Sequence, residues 1–153
     1  MDTGTELLIL RLVKDWQFGA AMLAALFFWG ALFLRLDAPP NPDWPLQAPM
    51  IFLLPAVVYP VLEEIVFRGA LQGGLWKTFL AGKALGPLSA PNILTAVVFG
   101  AVHLYSQAPL AALSIVILGL IFGYFRDRYQ HLLPCILLHI FYNAGFLILF
   151  GSA

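Results

Sequence analysis

Four stretches of this chain run without a single Asp, Glu, Lys or Arg: 19 residues from Trp16 to Leu34, 19 from Trp44 to Leu62, 42 from Ala84 to Phe125 and 25 from Tyr129 to Ala153. The hydrocarbon core of a bilayer is about 30 Å thick and takes about 20 apolar residues of helix to cross, so each run is long enough for one span and the third for two. Lipid offers backbone N–H and C=O groups no partners, so such runs must be helical or close into a barrel. The scarcity extends to the whole chain, where charged residues are 10% of 153 against about 25% in soluble domains. The reading is an all-α polytopic membrane protein of about five transmembrane helices plus a short interfacial helix, in a single transmembrane domain over 1–153.

The expected spans are Trp16 to Leu34, Met50 to Gly73 and Gly74, Asn92 to Tyr105, Leu110 to Phe125, and Leu132 to Phe150. Residues 1–49 form an N-terminal anchor span and a linker. The linker's prolines (Pro39, Pro40, Pro42, Pro45, Pro49) are expected to exclude helix. Leu75 to Pro91, with Trp76, Lys77 and Lys83, alternates apolar and basic residues as an interfacial segment would, Trp76 sitting at headgroup level. With five spans, Arg11, Lys14, Lys77, Lys83, Arg126 and Arg128 share one side and only Arg35 the other. That bias predicts a multi-pass protein of the inner (plasma) membrane, N-terminus cytoplasmic and C-terminus outside. The first span follows Arg11 and Lys14, but at 19 residues it exceeds a signal-peptide core of about 7–15 and no small-residue cleavage site follows, so it reads as a retained anchor.

Net charge is zero and basic residues form no cluster larger than a pair, which removes the electrostatic footprint of nucleic-acid binding. The lone Cys135 can form neither an internal disulfide nor a thiolate cage.

Against this background the polar residues inside the spans carry the information. Glu63, Glu64 and Arg68 lie in or beside hydrocarbon, where each charge costs about 2.5–3.5 kcal/mol on insertion scales. Glu64 and Arg68, at i and i+4, read as a structural ion pair, which leaves Glu63 unpartnered and suited to a general base. His103 follows Phe99 by one helical turn in the third span, and its bland alternative is a core histidine bonded to a carbonyl. His139 and Asn143 are a second i, i+4 pair, in the fifth span, with helix–helix hydrogen bonding as the alternative. His131 falls in a predicted turn beside Arg128 and reads as solvated. At a rise of about 1.5 Å per residue, Glu63, His103 and His139 come to roughly 15, 16 and 10 Å from the cytoplasmic ends of their spans. The converging set is Glu63, His103, His139 and Asn143.

Several chemistries lack their parts. There is no Gly-x-Ser-x-Gly elbow, the predicted spans contain no Asp, and His-Glu-x-x-His is absent, although two His and two Glu leave a metal-dependent hydrolase open. Cys135 one turn before His139 could be imagined as a nucleophile, but on an apolar helix it reads as a small buried hydrophobe. The remaining reading is metal-free and cofactor-free hydrolysis of a peptide bond, with a carboxylate and a histidine activating water and another histidine and an amide donating to the oxyanion.

The runs Glu63-Glu64-Ile65-Val66-Phe67-Arg68, Phe99-Gly100-Ala101-Val102-His103 and His139-Ile140-Phe141-Tyr142-Asn143 resemble, in order, the EExxxR, FxxxH and HxxxN motifs of the CAAX-protease and bacteriocin-processing (CPBP, or Abi) intramembrane glutamic proteases. The resemblance covers about Met50 to Phe150. It implies that Glu63 and His103 activate water, that His139 and Asn143 stabilise the oxyanion, and that Glu64, Arg68 and Phe99 shape the site. Eukaryotic prenyl-protein endoproteases of the family have about eight helices. A five-helix chain is more similar to the processing enzymes of bacterial C-terminal sorting systems, whose substrate tail holds a motif, one membrane helix and basic residues. The implied partners are such a protein substrate and the bilayer, and the small helix count leaves room for a homodimer. The family also includes immunity or scaffold members, in which the same network would only hold helices together.

Overall fold

In the computed structural model residues 3–34 and 41–151 are described. In chain order the elements are α1 (Thr3–Lys14), α2 (Trp16–Phe33), α3 (Trp44–Gln47), α4 (Pro49–Leu75), a hairpin of β1 (Ala84–Leu85) and β2 (Leu88–Ser89), α5 (Ala90–His103), α6 (Pro109–Tyr129) and α7 (Leu133–Phe150). Among the described residues α2, α4, α6 and α7 are long and apolar enough to cross a membrane. The protein is an all-α polytopic membrane protein. The span expected over Asn92 to Tyr105 is the 14-residue α5, about 21 Å long and short of a full crossing.

Two local expectations are corrected. Pro39, Pro40 and Arg35 lie outside the described residues, but Pro45 and Pro49 begin helices α3 and α4 instead of excluding them. At the first turn a proline's missing N–H would have no intrahelical partner anyway, and its fixed φ suits the helix. The segment from Leu75 to Pro91 is turns and a hairpin, not an interfacial helix. Gly86, at φ +59° beside Pro87, supplies the positive φ that a two-residue hairpin turn needs at its first central position.

Packing divides the chain into two compact units, Met1–Val58 with Ile140–Ala153, and Tyr59–His139. In the first, Asp15 caps α2 by accepting from the Gln17 N–H at 2.9 Å. Trp44 is buried and its Nε1 donates to the Leu147 carbonyl at 2.8 Å, while the Tyr142 hydroxyl donates to the Ala21 carbonyl at 2.7 Å. Trp29 lies so close to Gly145 that a Cβ there would meet its ring at 2.1 Å. Gly145 therefore permits the α2–α7 approach.

The second unit is built on an antiparallel pair, α5 against α6. Gly100 faces Ala112 and Val116, Gly119 faces Ala96, and Gly123 faces Asn92, so α6 presents small residues where α5 comes closest. Asn92 is fully buried and its Nδ2 donates to the Leu120 carbonyl at 3.0 Å. Ser89 caps α5 by accepting from the Asn92 N–H. Gln130, at φ +51°, closes α6 in the left-handed conformation common after a helix end.

Candidate active site

Within the second unit, α4 carries a row of polar side chains at four-residue intervals: Glu64, Arg68 and Gln72, with Trp76 just past its end. Four-residue spacing puts them on one face. From Ile65 to Gln72 the helix is wound in π turns, a departure that proteins commonly place at functional sites. The row meets α6 at its glycines. Arg68 Nη2 donates to the Gly119 carbonyl at 3.0 Å and Gln72 Nε2 to the Gly123 carbonyl at 3.0 Å. A Cβ on Gly119 would stand 3.3 Å from Arg68 Nη2, and one on Gly123 would stand 3.0 Å from Gln72 Oε1. The missing side chains are what let these groups reach backbone.

At the Glu63 end, α7 delivers His139. Its Nδ1 lies 2.8 Å from Glu64 Oε1 and its Nε2 lies 3.6 Å from Glu63 Oε2. Glu64 in turn lies 3.3 Å from Arg68 Nη1, with both side chains fully buried. A carboxylate only accepts, so the Nδ1 contact is a donation from the ring, and Glu64 fixes both its orientation and the nitrogen that holds that hydrogen. The result is a chain of four groups, Arg68, Glu64, His139 and Glu63, whose first three are buried and whose last is 30% exposed. The expectation that Glu63 stands without a partner is corrected, since His139 faces it. The expected Glu64–Arg68 pair is present.

Aromatic rings wall this chain. Phe122 stacks on His139 with centroids 4.8 Å apart, and the Arg68 guanidinium lies over Phe99 at 4.6 Å and near Phe122 at 5.6 Å. Phe99 also meets both histidines edge-on, His103 at 4.6 Å and His139 at 6.0 Å. His103, the last residue of α5, is bonded through Nδ1 to the Phe99 carbonyl at 2.8 Å. A carbonyl accepts, so Nδ1 holds the hydrogen there, and in the neutral ring Nε2 is left as the proton acceptor. Cys135 is buried, its Sγ 3.9 Å from the His131 carbonyl. No three His, Cys, Asp or Glu side chains among the described residues are grouped as a metal would need.

Asn143 belongs to the first unit, one turn beyond His139 along α7, and its Nδ2 donates to the Pro55 carbonyl at 3.0 Å. The structure thus groups Glu63, Glu64, Arg68, Phe99, His103 and His139, and gives Asn143 a backbone partner of its own. Sequence reasoning missed Phe122, Gln72, Gly119 and Gly123. Only the Gly119-x-x-x-Gly123 spacing, a common signature of close helix approach, could have pointed to them.

The family described as Type II CAAX prenyl endopeptidase Rce1-like matches residues 44–145, two thirds of the chain. The chain belongs to this family. The match contains all three motifs and the four-group chain built from them, and it makes the protein an intramembrane peptidase of the CPBP type. It begins at Trp44, so α1 and α2 precede the shared core. No curated protein and no solved structure matches significantly.

Proposed function

We propose that this Rce1-like protein is a metal-independent glutamic endopeptidase that cleaves a membrane-embedded substrate, with Glu63 as general base. The observation that carries this reading is His139 held between two carboxylates, tightly by Glu64 at 2.8 Å and loosely by Glu63 at 3.6 Å. The tight contact orients the ring. The loose one is too long for a good hydrogen bond and leaves Glu63 lone pairs free to accept from water. A water held by Glu63 and by the free Nε2 of His103 loses its proton to the carboxylate as its oxygen attacks the peptide carbonyl. His139, protonated at both nitrogens in this step, donates Nε2–H to the developing oxyanion while Glu64 and Arg68 hold it in place. The proton on Glu63 then passes to the leaving amine. Asn143, which the motif would pair with His139 at the oxyanion, is engaged with Pro55.

For the substrate we favour a protein with a C-terminal sorting tail, on the motif resemblance. The proposed setting is the inner membrane with the N-terminus cytoplasmic. A helical substrate must unwind before attack, and in lipid each freed backbone group costs several kcal/mol unless protein or water takes it. Helix-breaking residues near the cut site should therefore speed cleavage. The test is co-expression of candidate sorting-tail proteins with wild type and with Glu63→Gln. Processing by the first and not the second is expected, and equal processing by both would overturn the assignment.

A further inference from the structure

The Asn143 contact has a cause in the backbone of α4. From Leu54 to Val58 that helix is wound in π turns, in which each carbonyl accepts from the N–H five residues on. The next carbonyl in that register is Pro55, and its donor would be residue 60. Residue 60 is Pro60, which has no N–H. Tyr59 cannot fill the gap while its own N–H serves the carbonyl of Leu54 in the same register. The Pro55 carbonyl is thereby left without a helical donor, in a segment where lipid supplies none and an unmade hydrogen bond is costly. Asn143 Nδ2 stands 3.0 Å from that oxygen.

We propose that Asn143 is a positioning residue: its side-chain amide replaces the backbone N–H that Pro60 lacks, and so fixes the helical turn that leads into Glu63 three residues later. The position then needs a donor, short enough to reach from α7 and uncharged in a membrane span, and an asparagine amide meets all three demands. This assignment differs from a direct role at the oxyanion, which the motif implies. It rests on the protease reading only where cleavage is the readout.

Pro60→Ala separates the two roles, because it restores a backbone N–H at the place where Asn143 now serves. The measurements are thermal stability in detergent and cleavage rate of the same processed substrate. Asn143→Ala is expected to lower the melting temperature and reduce kcat by on the order of ten- to a hundredfold, the usual cost of a small misplacement of a catalytic group. In the Pro60→Ala, Asn143→Ala double variant both should return close to the Pro60→Ala values. Melting temperature rescued without kcat would assign Asn143 to the oxyanion, and no rescue of either would show that the carbonyl is not what it serves. Asn143→Leu supplies an independent arm, since a side chain of similar size with no donor cannot serve the carbonyl and should be about as unstable as Asn143→Ala. An Asn143→Leu protein as stable as wild type would also overturn the proposal. The stability arms read out even if Glu63→Gln remains active, so failure of the protease reading and failure of this one are separately visible.

Discussion

Two polar clusters sit on one face of α4, a few turns apart, and they are finished to different degrees. At the hairpin end Asp127 accepts from Gln72 Nε2 at 2.8 Å, Trp76 Nε1 at 2.7 Å and the Ser89 hydroxyl at 2.6 Å. Each of those donors is neutral, each contact is short, and both carboxylate oxygens are engaged in holding the end of α4 and the hairpin to α6. At the other end the contacts are uneven, 3.3 Å between Arg68 and Glu64, 2.8 Å between Glu64 and His139 and 3.6 Å between His139 and Glu63, and the last carboxylate is part-exposed. The same helix thus carries a closed cluster, whose carboxylate is held by three short hydrogen bonds, and an open one, whose last carboxylate is part-exposed and loosely held. Closure marks the structural site. Openness, next to an oriented imidazole, is what the proposed chemistry needs.

The comparison breaks most visibly at Glu63. Glu63→Gln keeps the size and removes the proposed base, and His103→Ala removes the proposed second acceptor for the same water. Each should cut cleavage by on the order of 10²–10⁴-fold with little change in melting temperature, since neither strands a buried charge. Near-normal turnover in both variants would make the open cluster structural like the closed one.

Next in size are Glu64→Ala and Arg68→Ala. Either change leaves a fully buried charge without its charged partner, at a cost of about 3–5 kcal/mol, and Glu64→Ala also removes the contact that orients His139. Stability and activity should fall together here, unlike at Glu63. Normal melting temperatures would mean that the pair is hydrated in the membrane protein.

These two clusters also show where sequence reasoning reaches. The open cluster was legible because charge inside an apolar run is conspicuous: Glu63, Glu64, Arg68 and the histidines stand out from their neighbours, and i, i+4 spacing assigns their faces. The spans were legible for the same reason, since a membrane helix announces itself by composition. The closed cluster was not. Asp127 lies at the charged end of α6 between Arg126 and Arg128, where a sequence reading finds an ordinary solvated residue, and Trp76 reads as a headgroup anchor. Their pairing joins positions 51 residues apart, which no local pattern encodes. Likewise, the Glu63–His139 contact depends on how α7 meets α4 inside the second unit, and pairing Glu64 with Arg68 along one helix left Glu63 alone on paper. The prolines at 45 and 49 misled because a breaker of helix interiors is a starter at helix ends.

Asp127→Ala tests the closed cluster. It strands three donors at once, each worth about 1–3 kcal/mol if it stays buried, but Trp76 and Ser89 lie toward the chain's polar end and will recover part of that from water. A net loss of about 3 kcal/mol is expected, with kcat per folded molecule essentially unchanged. A selective loss of kcat at normal stability would show that the clamp reaches into the chemistry.

The smallest effect sharpens the comparison furthest. Trp76→Phe keeps an aromatic ring at the end of α4 and deletes only the Nε1–H that donates to Asp127 at 2.7 Å. Asp127 keeps Gln72 and Ser89, so no charge is left unpaired, and the cost should be about 0.5–1.5 kcal/mol, that of one hydrogen bond. A headgroup anchor would lose a similar amount for a different reason, because Phe lacks the polar edge that suits the interface. A double-mutant cycle with Asp127→Asn distinguishes the two. If Trp76 acts through Asp127, the penalty of Trp76→Phe should shrink in the Asp127→Asn background, where the weaker neutral acceptor has already given up part of the bond. If Trp76 is an interfacial anchor, the two penalties should add, and the closed cluster would then be a two-donor clamp of Gln72 and Ser89 with the tryptophan as a bystander.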